Sequence, residues 1–289
     1  MVLRINLFAG LGNQLFMIFA TLSYAIDKNI KYAFLSHMTK TTNGTGTYWD
    51  TLLDAFKNNV DQNVKKDISE YENVYQEPSF HHTPLPDTLA DKDTVLQGYF
   101  QSYKYFEKNF ERIKEIMNLD SKIATVKNEN KHLFLKKTIA MHFRFGDYMN
   151  LQNYHCVKRP HYYIHALRGL ERDLKARGEN ITDYNILYFS QAGDEYVVAE
   201  FMKVITGIND DIEYTFIKVS DDIPDWKQML LMSCCDHFVI ANSSFSWFGA
   251  YFSTAVNKIV YRPRVWFGPA NRSNDTKDLC PREWTIVNV

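Results

Sequence analysis

Hydrophobic positions along the chain switch between two periods. "LRINLFA" (3–9), "KYAFLS" (31–36) and "TVLQGYF" (94–100) read as strands. Residues 13–29 place Leu15, Phe16, Phe19, Leu22 and Ile26 at helical spacing, and 102–118 form a second amphipathic helix. Thr and Gly at 39–47 mark a loop, and Pro78, Pro84 and Pro86 mark extended chain within an irregular stretch, 50–94. Beyond the charged run "KNENKH" (127–132) the alternation resumes. Strands are expected at 137–145, 184–190, 212–219, 237–241 and 258–263. Helices are expected at 161–178, 195–205, 224–235 and 243–256, the first entered at Pro160 and ended by Gly178. Strand–helix alternation on this scale implies parallel sheets covered by helices on both faces. The expected fold is α/β, two Rossmann-like domains facing a cleft. The boundary is set at the charged run: 1–130, then 131–289, with the terminal segment free to pack back on the first domain.

Three expected strand-to-helix turns carry residues that a plain connection does not need. In open parallel sheets ligands sit beyond the carboxyl ends of the strands, so these turns are the places to look. In "FAGLGNQL" (8–15), Gly10 and Gly12 permit a tight turn and close approach to a ligand. Asn13 then opens a helix whose free N–H groups suit a phosphate, or serves as an ordinary N-cap. In "IAMHFRFGDYM" (139–149), His142 and Arg144 are two apart and share one face of a strand. Arg144 offers a planar fork for a pyrophosphate, and Asp147 follows the break at Gly146. The other reading is a polar strand end with a surface Arg–Asp pair. In "VIANSSFSWFGAYFS" (239–253), Asn242, Ser243 and Ser244 stand where a strand gives way to a helix. One of them would suffice as a cap, whereas three make a neutral phosphate cradle. Asp194, just past another strand end, suits a purine edge or a ribose hydroxyl. Asp221, Asp222 and Asp225 read as capping residues in preference to a metal site.

Composition narrows the partners. The chain has 289 residues, 45% hydrophobic and 23% charged, and a net charge of -1. No global field attracts nucleic acid or an anionic membrane, so an anionic ligand must find its positive charge in a local pocket. The four cysteines form no CxxC pair, which argues against structural zinc and for reduced thiols inside a cell. The first residues enter a strand at once without a signal-peptide pattern, and no apolar run is long enough to span a membrane. A cytoplasmic location is expected, with attachment to a membrane surface carrying the acceptor as the alternative.

The turns, taken in order, resemble a known family. "GLGNQLF", "GYFQSYKYF" (98–106), "HFRFGDY" (142–148), "ANSSFSWFGA" (241–250) and "WFGP" (266–269) are similar to the motifs of the α-1,2-fucosyltransferases of glycosyltransferase family 11. The resemblance implies a GT-B fold with the donor held mainly by the C-terminal domain. It implies transfer of fucose from GDP-fucose to a galactose 2-hydroxyl with inversion, without a metal or other cofactor. The HxRxGD pattern, shared with α-1,6- and protein O-fucosyltransferases, implies that Arg144 binds the donor diphosphate, supported by His142 and Asp147. Asn242, Ser243 and Ser244 would lie at the diphosphate and nucleotide, Gly12 and Asn13 would reach it from the first domain, and Asp194 would be a guanine or ribose partner. One departure stands out. The family usually has a second arginine directly after the first, and here Phe145 occupies that place. On a strand it points away from Arg144, and the second cation is either lost or supplied by Arg262 or Arg264. The competing readings are another GDP-sugar-dependent inverting transferase, a weak or non-catalytic GDP-sugar- or glycan-binding relative, and, last, an NAD-dependent enzyme, which lacks GxGxxG.

Overall fold

Two wholly parallel sheets, one in each half of the chain, carry the alternating pattern into three dimensions. The computed structural model describes residues 1–207 and 213–289. The chain divides into a first unit, 1–122 with 274–281, and a second, 123–273 with 282–289. The crossing falls eight residues before the expected 130.

The first unit contains β1 (Val2–Asn6), α1 (Leu11–Lys28), β2 (Lys31–Leu35), β3 (Val60–Asp61), β4 (Val74–Gln76), β5 (Thr94–Gln97) and α2 (Phe110–Met117). Its sheet runs β3-β2-β1-β5-β4. α1 is buried almost all round, from Leu11 to Ala25, which is why its apolar positions exceed one stripe. It ends where Asn29 turns left-handed (φ 50°). It begins at Leu11 with Gly10 as N-cap, so Asn13 is not the cap: its N–H already donates to the Gly10 carbonyl at 3.0 Å. β5 stops at Gln97, short of the expected Phe100, because the backbone turns through positive φ at Gly98 (155°) and Phe100 (51°). A Cβ on Gly98 would lie 2.3 Å from the Glu77 Cβ, so glycine is required by space as well as by φ. The expected helix at 102–118 is α only from Phe110; before it come two short 3-10 turns.

The charged run 127–132 is not a linker. It lies on α3 (Leu119–Glu129) and the 3-10 turn after it. Leu119, Val126 and Leu133 are buried at a spacing of seven, an apolar seam beneath a charged face.

The second unit continues with β6 (Lys137–His142), α4 (Pro160–Ala176), β7 (Tyr184–Phe189), α5 (Glu195–Gly207), β8 (Thr215–Lys218), α6 (Asp225–Ser233), β9 (His237–Val239), α7 (Ser244–Tyr251), β10 (Val260–Pro263) and β11 (Thr285–Val287). The expected strand at 212–219 is shorter, and its first residue, 212, lies outside the described residues. The sheet order is β11-β10-β9-β6-β7-β8. Numbered from β6, this is the 3-2-1-4-5-6 order of dinucleotide-binding sheets, whose ligand crevice opens where the order reverses. Here the reversal lies between β6 and β9. Ile139, Met141, Phe143 and Phe145 share a core with Tyr163, Leu167 and Leu170 of α4, with Val239 and with Tyr261. By alternation His142 lies on the other face.

Candidate active site

The switch point of the second sheet is flanked by the segments after β6 and β9, and it gathers most of the residues singled out in the sequence. β6 ends at His142, earlier than the expected 145. The Phe143 N–H still donates to the Phe189 carbonyl (2.8 Å). Then the chain leaves the sheet and turns at Gly146, φ 43°. This exit frees Arg144 from the strand. Its guanidinium donates to Asp147 Oδ1 and to Gln191 Oε1, both at 2.5 Å, and lies 4.6 Å from the centre of the Tyr148 ring. The Arg144 side chain is 24% exposed and that of Asp147 57%. The cation is therefore aimed by three neighbours and keeps a solvent-facing side. Phe145 is fully buried, edge-on to Phe201 of α5 at 4.8 Å. An arginine there would have to enter the core.

Asp194 holds the turn. Both its carboxylate oxygens accept from the Gly146 N–H, at 3.0 and 3.1 Å. Its side chain is buried, and burial pushes its pKa up while the Gly146 N–H and the Arg144 charge pull it back. The structure thus places Asp194 beneath the Arg144 turn, at the start of α5. Gln191 comes from the same segment. Neither Gln191 nor Tyr148 stood out in the sequence as a partner of Arg144. The available signal was position, since Gln191 follows the end of the strand paired with β6.

On the other side of the switch point, Asn242 is buried and donates through Nδ2 to the carbonyls of Cys156 (2.9 Å) and Trp266 (2.8 Å). This ties the "WFGP" segment to the β9 end. Ser243 is the N-cap of α7, accepting from the Phe245 N–H at 3.3 Å, and Ser244 is the first helical residue, partly exposed. The Tyr148 hydroxyl donates to the Asn242 carbonyl (3.3 Å), so the two flanking segments meet.

Buried side-chain polar atoms almost always have partners, yet this unit concentrates exceptions here. Among the described residues, His142 Nδ1, Ser190 Oγ, Asn242 Oδ1 and Arg262 Nε are buried without a hydrogen bond. They belong to the carboxyl ends of four adjacent strands, β7, β6, β9 and β10. A fifth, Asp221 Oδ1, stands beyond the edge strand β8. Burial, with the nearby Arg144 charge, lowers the His142 pKa to about 3. The imidazole is neutral at physiological pH and offers one donor and one acceptor.

Gly12 and Asn13 lie in the first unit, at the first turn of α1. Asn13 Oδ1 accepts from Gln101 Nε2 at 2.5 Å, and Phe8 meets Tyr99 edge-on at 4.8 Å. Thus "GLGNQLF" and "GYFQ" are brought together at the reversal between β1 and β5. The aspartates at 221–225 have local partners: Asp221 accepts from Lys218 (2.5 Å), Asp222 from Ser220 and Asp225 from the Trp226 N–H. Among the described residues no three His, Cys, Asp or Glu side chains are grouped to hold a metal, and no helix is long and apolar enough to cross a membrane.

The family model for glycosyl transferase family 11 matches residues 65–287. The chain belongs to this family. It is 29% identical over 194 residues to an Escherichia coli protein named O-antigen biosynthesis glycosyltransferase WbnK, covering 63% of this chain and 58% of that one. It is 27% identical over 193 residues to an Escherichia coli alpha-1,2-colitosyltransferase, covering 66% and 61% respectively. A Caenorhabditis elegans galactoside 2-alpha-L-fucosyltransferase is 23% identical over 273 residues, 88% of this chain and 69% of that protein. The chain spans about three-fifths of the length of the first two relatives. The matched region of the family model includes the segments around Arg144, Asp194 and Asn242.

Proposed function

We propose that the protein transfers L-fucose from GDP-fucose to the 2-hydroxyl of a galactose in a glycan acceptor, with inversion and without a metal, on a GT-B plan. The observation that carries the proposal is the set of unpartnered buried polar atoms at the switch point of a 3-2-1-4-5-6 sheet, beside the pre-aimed Arg144. That combination suits a nucleoside diphosphate. The guanidinium offers a fork to phosphate oxygens. The start of α7, with Ser243 and Ser244, offers N–H and hydroxyl donors.

As GDP departs, negative charge develops on the β-phosphate and positive charge on the sugar ring. Donors already fixed around that phosphate lower the barrier, because they need no reorganisation as charge appears. Arg144 is held in place by Asp147, Gln191 and Tyr148, and Asp194 holds the turn that carries it. His142, neutral and buried, serves as a hydrogen-bonding group at the same strand end and carries no charge of its own. Asp147, exposed and paired with Arg144, is the candidate to receive the acceptor proton.

A second donor sugar is raised by the relative named as a colitosyltransferase, which shares more identity with this chain than the fucosyltransferase does. The deciding experiment offers purified protein GDP-fucose and a colitosyl donor with a panel of galactosides, with and without EDTA, and determines the linkage in any product. An α-1,2-linked fucoside formed equally well in EDTA is the expected result. Transfer from neither donor to any galactoside would overturn the proposal, and loss of turnover in EDTA restored by Mn2+ would overturn its metal independence.

A further inference from the structure

We infer that Arg262 is a second phosphate-binding cation of this unit, acting with Arg144. The inference rests on the reading of the switch point as a GDP-sugar site. Its own evidence is the sheet register. Ala140 pairs with Phe238 and Met141 with Val239, while Val260 pairs with Phe238 and Tyr261 with Val239. Extended by one residue, this aligns His142, Ile240 and Arg262 across β6, β9 and β10. Arg262 therefore starts two inter-strand spacings, about 9–10 Å, from His142.

The face is right as well. Tyr261 packs in the α4-side core, and its hydroxyl donates to Asp173 of α4 at 2.7 Å. Alternation sends Arg262 to the opposite face, the one on which His142 meets Phe245 of α7 with ring centres 5.5 Å apart. Arg262 is half-buried, its Nε is fully buried, and its side chain has no hydrogen bond or ion pair among the described residues. The neighbouring cations Arg144, Lys158 and Arg264 have partners. Arg144 has Asp147 and Gln191, and Lys158 donates to the Val265 carbonyl at 2.5 Å. Arg264, the other arginine of this strand end, is exposed and donates to Asn288 Oδ1 at 3.2 Å. A cation drawn out of water without a counter-charge is costly. An anion bound on this face relieves that cost. With Phe145 committed to the core, Arg262 reaches the site from β10.

The test is calorimetric titration of GDP and GMP into wild-type protein and the Arg262→Gln, Arg262→Lys and Arg264→Gln variants. A hydrogen-bonded charge contact corresponds to roughly 10–100-fold in affinity. Arg262→Gln is expected to weaken GDP by that factor and GMP by much less. Arg262→Lys should recover part of the loss, and Arg264→Gln should bind as wild type. Unliganded thermal midpoints of the Arg262 variants should equal or exceed wild type, since an uncompensated cation has been removed or made easier to hydrate. An unchanged GDP Kd in Arg262→Gln, or an equal loss for GDP and GMP, overturns the inference while leaving the site reading intact. Failure of the wild type to bind GDP overturns the site reading and the inference together. A fall in the unliganded midpoint of both Arg262 variants assigns the residue to the fold and overturns the inference.

Discussion

Replacement of Arg144 by alanine separates a catalytic role from a structural one, because the structure makes its contributions to the two very unequal. For the fold, the change removes an ion pair to a mostly exposed Asp147, a hydrogen bond to an exposed Gln191 and stacking on Tyr148. Exposed pairs contribute about 0–1 kcal/mol, and a partly exposed cation–π contact about 0.5–1 kcal/mol. The total is about 1–2 kcal/mol, or a few degrees in Tm for a unit of this size. For transfer as proposed, the same change removes a full charge and a two-pronged donor from the place assigned to the leaving phosphate. Loss of one preorganised donor to a developing anion costs about 100–1000-fold in kcat, so Arg144→Ala should fall at the upper end or beyond. Arg144→Lys keeps the charge and loses the fork, and should lie between. Initial rates of GDP release at saturating acceptor, paired with a circular-dichroism melt, measure both quantities. A folded Arg144→Ala protein with turnover within tenfold of wild type would falsify the assignment of Arg144 to the leaving group.

Three further outcomes follow from burial and backbone geometry. His142 has a folded pKa lowered to about 3 from 6.5, so the unfolded chain binds the proton more tightly. Stability is then fully present above pH 6.5 and declines toward pH 3, by on the order of 5 kcal/mol at most. His142→Gln should flatten that slope in urea titrations across the window, and an unchanged slope refutes the burial argument. Glu77 is pushed up to about 7 from 4.5, chiefly by burial, with one oxygen accepting from the Tyr99 and Phe100 N–H groups and the other unpartnered. Its sign is opposite: the folded state holds the proton, and stability is lost as pH rises from 4.5 through 7, by at most about 3 kcal/mol. Glu77→Gln keeps an acceptor for the two N–H groups and should gain stability relative to wild type at pH 8 but not at pH 4.5; equal melts at both values would contradict this. Gly146→Ala places a Cβ 2.5 Å from Gln191 Oε1 at a φ of 43°. About 1–2 kcal/mol of destabilisation is expected from the left-handed backbone, and Gln191 must release Arg144. A drop in kcat larger than the drop in stability explains is the result to look for, and wild-type kcat would refute the coupling.

The parts of the fold legible in the sequence were those with enough residues to show a period. The β1, β2, β6 and β7 strands and the α1 and α4 helices were read within a few residues of their ends. β3, β4 and β11 have two or three residues each, too few for alternation to register, and they are held by the ladder of a longer neighbour. α3 was missed for a different reason. Its charged face dominates the local composition, and its fully buried apolar positions, Leu119 and Val126, continued by Leu133 on the 3-10 turn after it, recur only once in seven residues. The early ends of β5 and β6 are followed by positive-φ residues, Gly98 and Phe100 after β5 and Gly146 after β6; in the sequence a glycine in a strand is compatible with a bulge as well as a stop.

The candidate site was marked out by motifs in the sequence, but its wiring was not. "GLGNQLF" and "GYFQ" turned out to flank one sheet reversal, and "HFRFGDY" and "ANSSFSW" the other. That separation of sequence neighbours from spatial ones is a property of parallel sheets, where the strand order and not the chain order decides which loops meet. Asp194 shows the limit. An acid after a strand end reads as a ligand partner; that its oxygens also accept from the Gly146 N–H is invisible in the sequence, because only the register of β6 against β7 brings the two segments together. Phe145 shows the same limit from the other side. As a missing arginine it reads as a loss of function at one position. In the folded chain that position is core, and a half-buried arginine whose side chain has no partner among the described residues lies two strands away, aligned with His142 through residues that no local pattern connects.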